Sequence, residues 1–369
     1  MENAKHAKIR TAGKQRVHWI DVAKGLGIIL VSFGHIRNGA GESVWLPALN
    51  TSIDCIYLFH MPLFYFLGGL TFSSRRPFGD FLKTKAKTLL IPYYVFSLYF
   101  LAKPIASLMM PALSSGMRIG TDYASSVREQ IYGILINGDG LWFLWAYFVG
   151  ELIVYPINRK LRSAEHSGNF YTGIGLVLII ASVAFAQCFP NVTLPFRIVL
   201  GVEVAGFILL GIASRPLLKG IRNRWTVGGG LSVVMFAVFV LCAFAQVHAS
   251  GAAAATLLRL VCMFLGVAVV VFLSICIYSN TVLEYLGRHS LSFYVVNALT
   301  MNIGKILFFK VLHIDGVHAS MILQWLVGIL LTAFCMGLMA LEDLLIRALI
   351  PWSLGITRQK TLEKENDTI

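Results

Sequence analysis

HWIDVAKGLGIILVSFGHI, residues 18–36, is the first apolar run of the chain, and its reading decides the fold. At 1.5 Å per residue a helix over this stretch reaches roughly 28 Å, close to the hydrocarbon thickness of a bilayer. Yet Asp21 and Lys24 sit near one rim and His35 at the other. Lys24 and His35 are eleven positions apart, so at about 100° per residue they return to nearly one face, separated by roughly 16 Å. Ile28 and Val31 lie on the stripe between them. Asp21, three residues before Lys24, is close enough to pair with it and offset part of the desolvation. Gly25, Gly27, Ser32 and Gly34 are small enough for a second helix or a slender ligand to approach the backbone.

Similar apolar runs recur to the end of the 369 residues. The chain is 57% hydrophobic and 13% charged, with a mean hydropathy of +0.73. A soluble domain of this length needs more charge to cover its surface, so the pattern predicts an all-α, polytopic integral membrane protein. The first run is not expected to be a cleaved signal peptide: it holds Asp21 and Lys24 and continues into a polar loop without a small-residue cleavage pattern. The net charge of +13 is gathered in short segments between apolar runs, which argues for membrane orientation and against nucleic acid as a partner. None of the six cysteines forms a C-x-x-C pair. They read as small buried hydrophobes, with a disulfide at Cys55 or Cys188 left open and no metal expected.

About ten spans are predicted, near 18–36, 55–73, 88–110, 131–154, 171–189, 198–214, 227–247, 256–278, 286–304 and 321–341. Basic clusters fall on alternate loops: Lys5 to Arg16, Arg75 to Lys87, Arg159 to Arg162, and Arg215 to Arg224. The facing loops are poorer in positive charge; 37–54 has only Arg37, and 305–320 has Lys305 and Lys310. The positive-inside bias then places both termini in the cytoplasm. Residues 1–346 read as one transmembrane domain and 347–369 as a polar cytoplasmic tail, partly disordered. No internal duplication is visible, which weighs against a transporter built from repeated halves.

The residues alone leave two readings of the first helix. Lys24 snorkels and His35 marks the interface, or both face a cavity in the membrane. His60, at the outer end of the next span beside Met61–Pro62, favours the second. Glu203, inside the sixth span, either meets Arg259 structurally or faces substrate. Trp142 reads as interfacial belt or sugar platform.

The stretch 19–36 resembles the opening motif of the membrane acyltransferase-3 family, and more narrowly that of fucose 4-O-acetylase-like proteins. The family pattern is a basic residue, ten intervening residues and a histidine, here Lys24 and His35. FHMPLFYFLGGLTF (59–72), FLKTKAKTLLIPYY (81–94), LWFLWAYFVGELI (141–153) and LEYLGRHSLSFYVVNAL (283–299) resemble later family segments in order. Two departures stand out. Gly68–Gly69 replaces a serine–glycine, and Asn297 stands where many relatives have histidine; an amide can orient a ligand but not accept a proton as base.

The resemblance implies transfer of an acyl group, acetyl first, from acetyl-CoA or another short acyl-CoA to a hydroxyl of a saccharide or lipid-linked glycan at the bacterial cytoplasmic membrane. Membrane lipid and envelope-polysaccharide assembly proteins are the further partners it implies. His35 is the expected general base, since an imidazole near its ordinary pKa of about 6.5 can take a hydroxyl proton. Lys24 is expected to hold the anionic donor, with Arg75, Arg76, Lys83 and Arg288 at a docking rim shared with Lys85 and Lys87. Asp21, Ser32, His60, Trp142, Glu203 and Asn297 are expected to bind the acceptor or support the site. A transporter of lipid-linked saccharide or of a small molecule, and a non-catalytic subunit of a polysaccharide assembly system, are the competing readings.

Overall fold

The computed structural model describes residues 16–38, 41–102, 104–105, 126–221 and 223–356. The basic residues Lys5, Lys8, Arg10, Lys14 and Arg222, Arg118 and Asp122 of the third loop, the far end of the third expected span, and tail residues 357–369 lie outside them. The described residues are helical throughout, without strands. Eight helices are long and apolar enough to cross a membrane. They are Pro47–Thr71 (α2), Val127–Leu161 (α4), Ser167–Cys188 (α5), Pro195–Ala213 (α6), Arg224–Gln246 (α7), Ala252–Ile277 (α8), Ser290–Val311 (α10) and Met321–Leu349 (α11). The other two expected spans are also helical. His18–Gly34 (α1) has 17 residues. Residues 78–101 (α3) carry Lys83, Lys85 and Lys87 in their first half and loosen to wide turns over Ala86–Leu90. Pro92 follows directly, and its missing N–H and ring clash with the preceding turn account for the loosening. Thr281–Arg288 (α9) is a short helix outside the spans.

Several boundaries differ from the expectation for physical reasons. The second span starts at Pro47 rather than 55. It breaks at Leu58–Phe59 and resumes at His60, so Pro62 falls in a first turn, where its missing N–H costs nothing. Gly138 and Gly140 take the left-handed conformation (φ 80° and 82°) and interrupt α4. α10 runs to Val311, so Lys305 is a buried helix residue and not a loop cation. α11 continues to Leu349, past 341 and past the 346/347 boundary. Arg347 Nε donates to Asp343 Oδ1 at 2.6 Å, and Ser353 and Leu354 beyond it are buried. All six cysteines are free thiols.

α1 lies at the centre, against α2, α8, α9, α10 and α11. It meets protein rather than lipid, which is why it tolerates charged residues. Its tightest neighbour is α9. A Cβ on Gly25 would stand 2.1 Å from the Leu283 carbonyl oxygen, and one on Gly287 would stand 1.9 Å from that of Asp21. The two backbones therefore touch, as only small residues allow. α5 packs on α6, and α7 packs on α8 while presenting Val233, Phe236, Leu241 and Phe244 outward. These exposed apolar faces suit lipid.

Candidate active site

At the His18 end of α1, the structure corrects one expected pair. Asp21 Oδ2 accepts from Arg16 Nε at 2.5 Å, not from Lys24. Arg16 precedes the helix and reaches back to an acid in the first turn, where the helix dipole also favours negative charge. Lys24 is half-buried and, among the described residues, has no hydrogen bond or ion pair. Its charged neighbours are Asp21, Arg16 and Lys85. Lys85 Nζ is 2.5 Å from Glu151 Oε1 of α4, while the buried Glu151 Oε2 has no partner. One turn before Glu151, Tyr147 explains the first family departure. A Cβ on residue 68 would lie 1.7 Å from the Tyr147 hydroxyl, so only glycine fits, and α4 supplies a hydroxyl at that place.

At the other end, His35 follows the last turn of α1. Its carbonyl and that of Arg37 each accept from Lys305 Nζ at 3.1 Å, which ties α10 to the end of α1. The His35 ring makes no hydrogen bond among the described residues, and the charged or titratable groups acting on it are Lys305, His60 and Arg37. His60 Nδ1 lies 2.9 Å from the Ile56 carbonyl oxygen and its ring meets that of Tyr57 at 4.7 Å. A carbonyl only accepts, so Nδ1 carries the proton and the Nε2 lone pair is left open. The Arg37 guanidinium covers the Tyr57 ring at 3.5 Å.

Between these ends is a cavity of about 230 Å³. Ile28 lines it from α1, Phe64 from α2, Thr88 from α3, Phe143 and Tyr147 from α4, and Tyr294 from α10. Ile28 is one turn from Lys24 on the Lys24–His35 stripe. Thr88 is three residues past Lys85, and Met61, also in the wall, adjoins His60. Neither Lys24 nor His35 lines the cavity itself. The wall is apolar apart from a few hydroxyls, which suits a slender flexible chain better than a sugar.

The remaining expected residues divide. Asn297 Nδ2 donates to Ser32 Oγ at 2.6 Å, so α10 and α1 share a buried polar contact between Ile28 and His35, and Asn297 Oδ1 is left without a partner. Arg288 is exposed and holds Glu284 Oε2 at 3.3 Å, beside His18 at the start of α1. Hydrogen bonds from Ser279 and His18 hold the Glu284 carboxyl below its ordinary value of 4.5. Lys83 is exposed, Arg76 reaches Thr84, and Arg75 bonds Ser73 through its backbone, so these cations stand on the outer rim of the lysine end. Trp142 lines neither this cavity nor the second one near Glu203. Glu203 and Arg259 line that second cavity but form no ion pair.

Lys85 was expected on the docking rim rather than in a buried pair, Lys305 as a loop cation, and Glu151 in no role at all. The signal was there for Glu151, an acid within an apolar run, since such residues are expensive and need a partner. Tyr65 carries no such signal, although its buried hydroxyl has no partner.

Residues 17–341 match the acyltransferase domain of the acyltransferase-3 family. A nodulation protein of Mesorhizobium japonicum, NolL, is 25% identical over 232 residues, covering 60% of this chain and 55% of the relative. The chain thus aligns with about half the length of that relative. No solved structure matches.

Proposed function

This chain belongs to the acyltransferase-3 family, and on that premise we propose that it moves a short acyl group, acetyl first, from acyl-CoA to a hydroxyl of a sugar in a lipid-linked or envelope glycan. The observation that carries the reading is the cavity at Ile28, a residue that lies on the α1 stripe between the cationic Lys24 and the His35 imidazole. Coenzyme A has phosphates at one end and a narrow pantetheine arm at the other. Lys24 and Lys85, with Arg288 and Lys83 on the rim, supply the positive charge for the phosphates, and the apolar passage accepts the arm.

The thioester then presents its carbonyl near His35. The sugar oxygen attacks the carbonyl carbon as the His35 imidazole takes the hydroxyl proton; the C–S bond then breaks and the imidazolium returns that proton to the leaving sulfur, releasing the thiol of coenzyme A. Two of the three Lys305 N–H groups serve the carbonyls of His35 and Arg37, leaving one for the oxygen that gains negative charge. Asn297 and Ser32 fix α10 against α1 so that this geometry holds. In this reading the cytoplasm supplies the donor, both termini are cytoplasmic, and the acceptor comes from the opposite face.

One observation favours a second assignment within the same reaction. His60 has an anchored Nδ1 and an open Nε2, as a base requires, whereas the His35 ring lacks an anchor. Purified protein with radiolabelled acetyl-CoA and a panel of soluble and lipid-linked glycans tests both. Labelled ester that vanishes in H35A and persists in H60A supports the first assignment; the reverse supports the second. Ester formed equally by both variants, or by none including wild type, removes the proposal.

A further inference from the structure

A second cavity, of about 300 Å³, lies between α5, α6 and α8, away from the α1 stripe. Glu203 of α6 and Arg259 of α8 face into it without forming an ion pair. Phe185 and Phe189 of the α5 end form its aromatic side, their ring centroids 5.1 Å apart. We propose that this cavity binds a neutral sugar ring of the acceptor, with hydroxyls donating to Glu203, Arg259 donating to sugar oxygens, and the two phenyl rings covering the C–H face.

The argument begins from Glu203. A carboxylate inside an apolar helix is costly unless hydrogen-bonded, and among the described residues it has no such partner. The other cation of the cavity, Arg197, is already committed. Its Nη2 lies 2.5 Å from Asp139 Oδ1 and its Nε 3.4 Å from the Gly138 carbonyl. That leaves one carboxylate and one guanidinium facing open space. An anionic lipid headgroup would place its phosphate against Glu203, whereas a polyol offers donors to the acid and acceptors to Arg259. A purely apolar ligand would leave both charges without partners.

The location fits an acceptor. Successive spans alternate in direction, so the Cys188 end of α5 and the start of α6 lie at the His35 end of α1. Tyr65 of α2 links the two regions: its ring meets that of Phe143, in the wall of the Ile28 cavity, at 5.5 Å, and that of Phe207, one turn past Glu203 on α6, at 6.4 Å. A ring held at Glu203 is therefore a neighbour of the ring acylated at His35, a subsite that rests on the acyl-transfer reading.

Saturation-transfer NMR on the full chain in nanodiscs tests this with methyl glycosides of fucose, N-acetylglucosamine and glucose as probes. At least one glycoside should be saturated by wild type and by H35A. Its affinity should drop about tenfold or more in E203Q, which removes a charge-assisted acceptor, and be lost in A186W, which fills the cavity from α5. No saturation with wild type, equal affinity in E203Q and A186W, or displacement of the glycoside by inorganic phosphate would overturn it. Glu203-dependent binding by a wild-type protein that forms no labelled ester would retain the sugar site and remove only the acyl-transfer reading.

Discussion

The contact of α1 with α9 makes the sharpest prediction, because a single methyl group probes it. Any Cβ on Gly25 meets the Leu283 carbonyl oxygen at 2.1 Å, whereas real Cβ contacts essentially never fall below 3.0 Å. The backbones must therefore part by about 0.9 Å at that crossing in G25A, and by about 1.1 Å in G287A. Overpacking of this kind costs about 1–3 kcal/mol. The larger consequence is for catalysis. Gly25 adjoins Lys24 and lies three residues before Ile28, so the displacement shifts the lysine end and the cavity wall together. Misplacement of about 1 Å in a reacting assembly costs on the order of 100-fold in rate. G25A and G287A should each reach the membrane, melt a few degrees lower and lose about 100-fold in acyl transfer. G230A, whose Cβ meets nothing within 4 Å, is the control and should behave as wild type. Wild-type turnover by well-folded G25A would refute the reasoning.

Other perturbations reach other parts of the site. K85M strands the buried Glu151 carboxylate and should cost about 3–5 kcal/mol in thermal unfolding, with K85M/E151L recovering most of it; a K85M protein as stable as wild type would contradict the buried pair. K305M removes two charge-assisted hydrogen bonds to the end of α1, and the rate should fall while donor KM stays near wild type, measured by initial-rate kinetics. The Glu284 carboxyl is held below its ordinary value in the fold, so its stabilising contribution is full above that value and fades as pH falls through the lowered one. E284Q should therefore be less stable than wild type at neutral pH and equal to it in strong acid, as followed by melting temperature against pH.

The first helix was legible because two rules converge on it. A charged residue in a bilayer-length run is expensive, and an eleven-residue spacing returns to one helix face. What could not be read were partners far apart in the chain. Asn297 meets Ser32 across 265 positions and Lys85 meets Glu151 across 66, and no periodicity links such pairs. The Asp21–Lys24 pair fails because helical spacing says which groups can meet, not which stronger neighbour wins; Arg16, outside the helix, takes the acid. Lys305 and Arg347 looked like flanking charges since hydropathy windows end at the first polar residue. The fold instead buries Lys305 against carbonyls and pairs the half-buried Arg347 with Asp343. Glu203 and Arg259 were legible as a candidate pair, but whether they touch or face each other across open space depends on how α6 and α8 pack.

The account stands on passage of the acyl arm alongside Ile28, and thiol protection measures that directly. A single cysteine at I28C, in a chain with its six native cysteines replaced, is exposed to a small alkylating maleimide with and without ligand. Coenzyme A should slow alkylation strongly, while adenosine 3′,5′-bisphosphate, which has the phosphates but no pantetheine arm, should leave it unchanged. Alkylation of I28C at the same rate with and without coenzyme A would contradict the account.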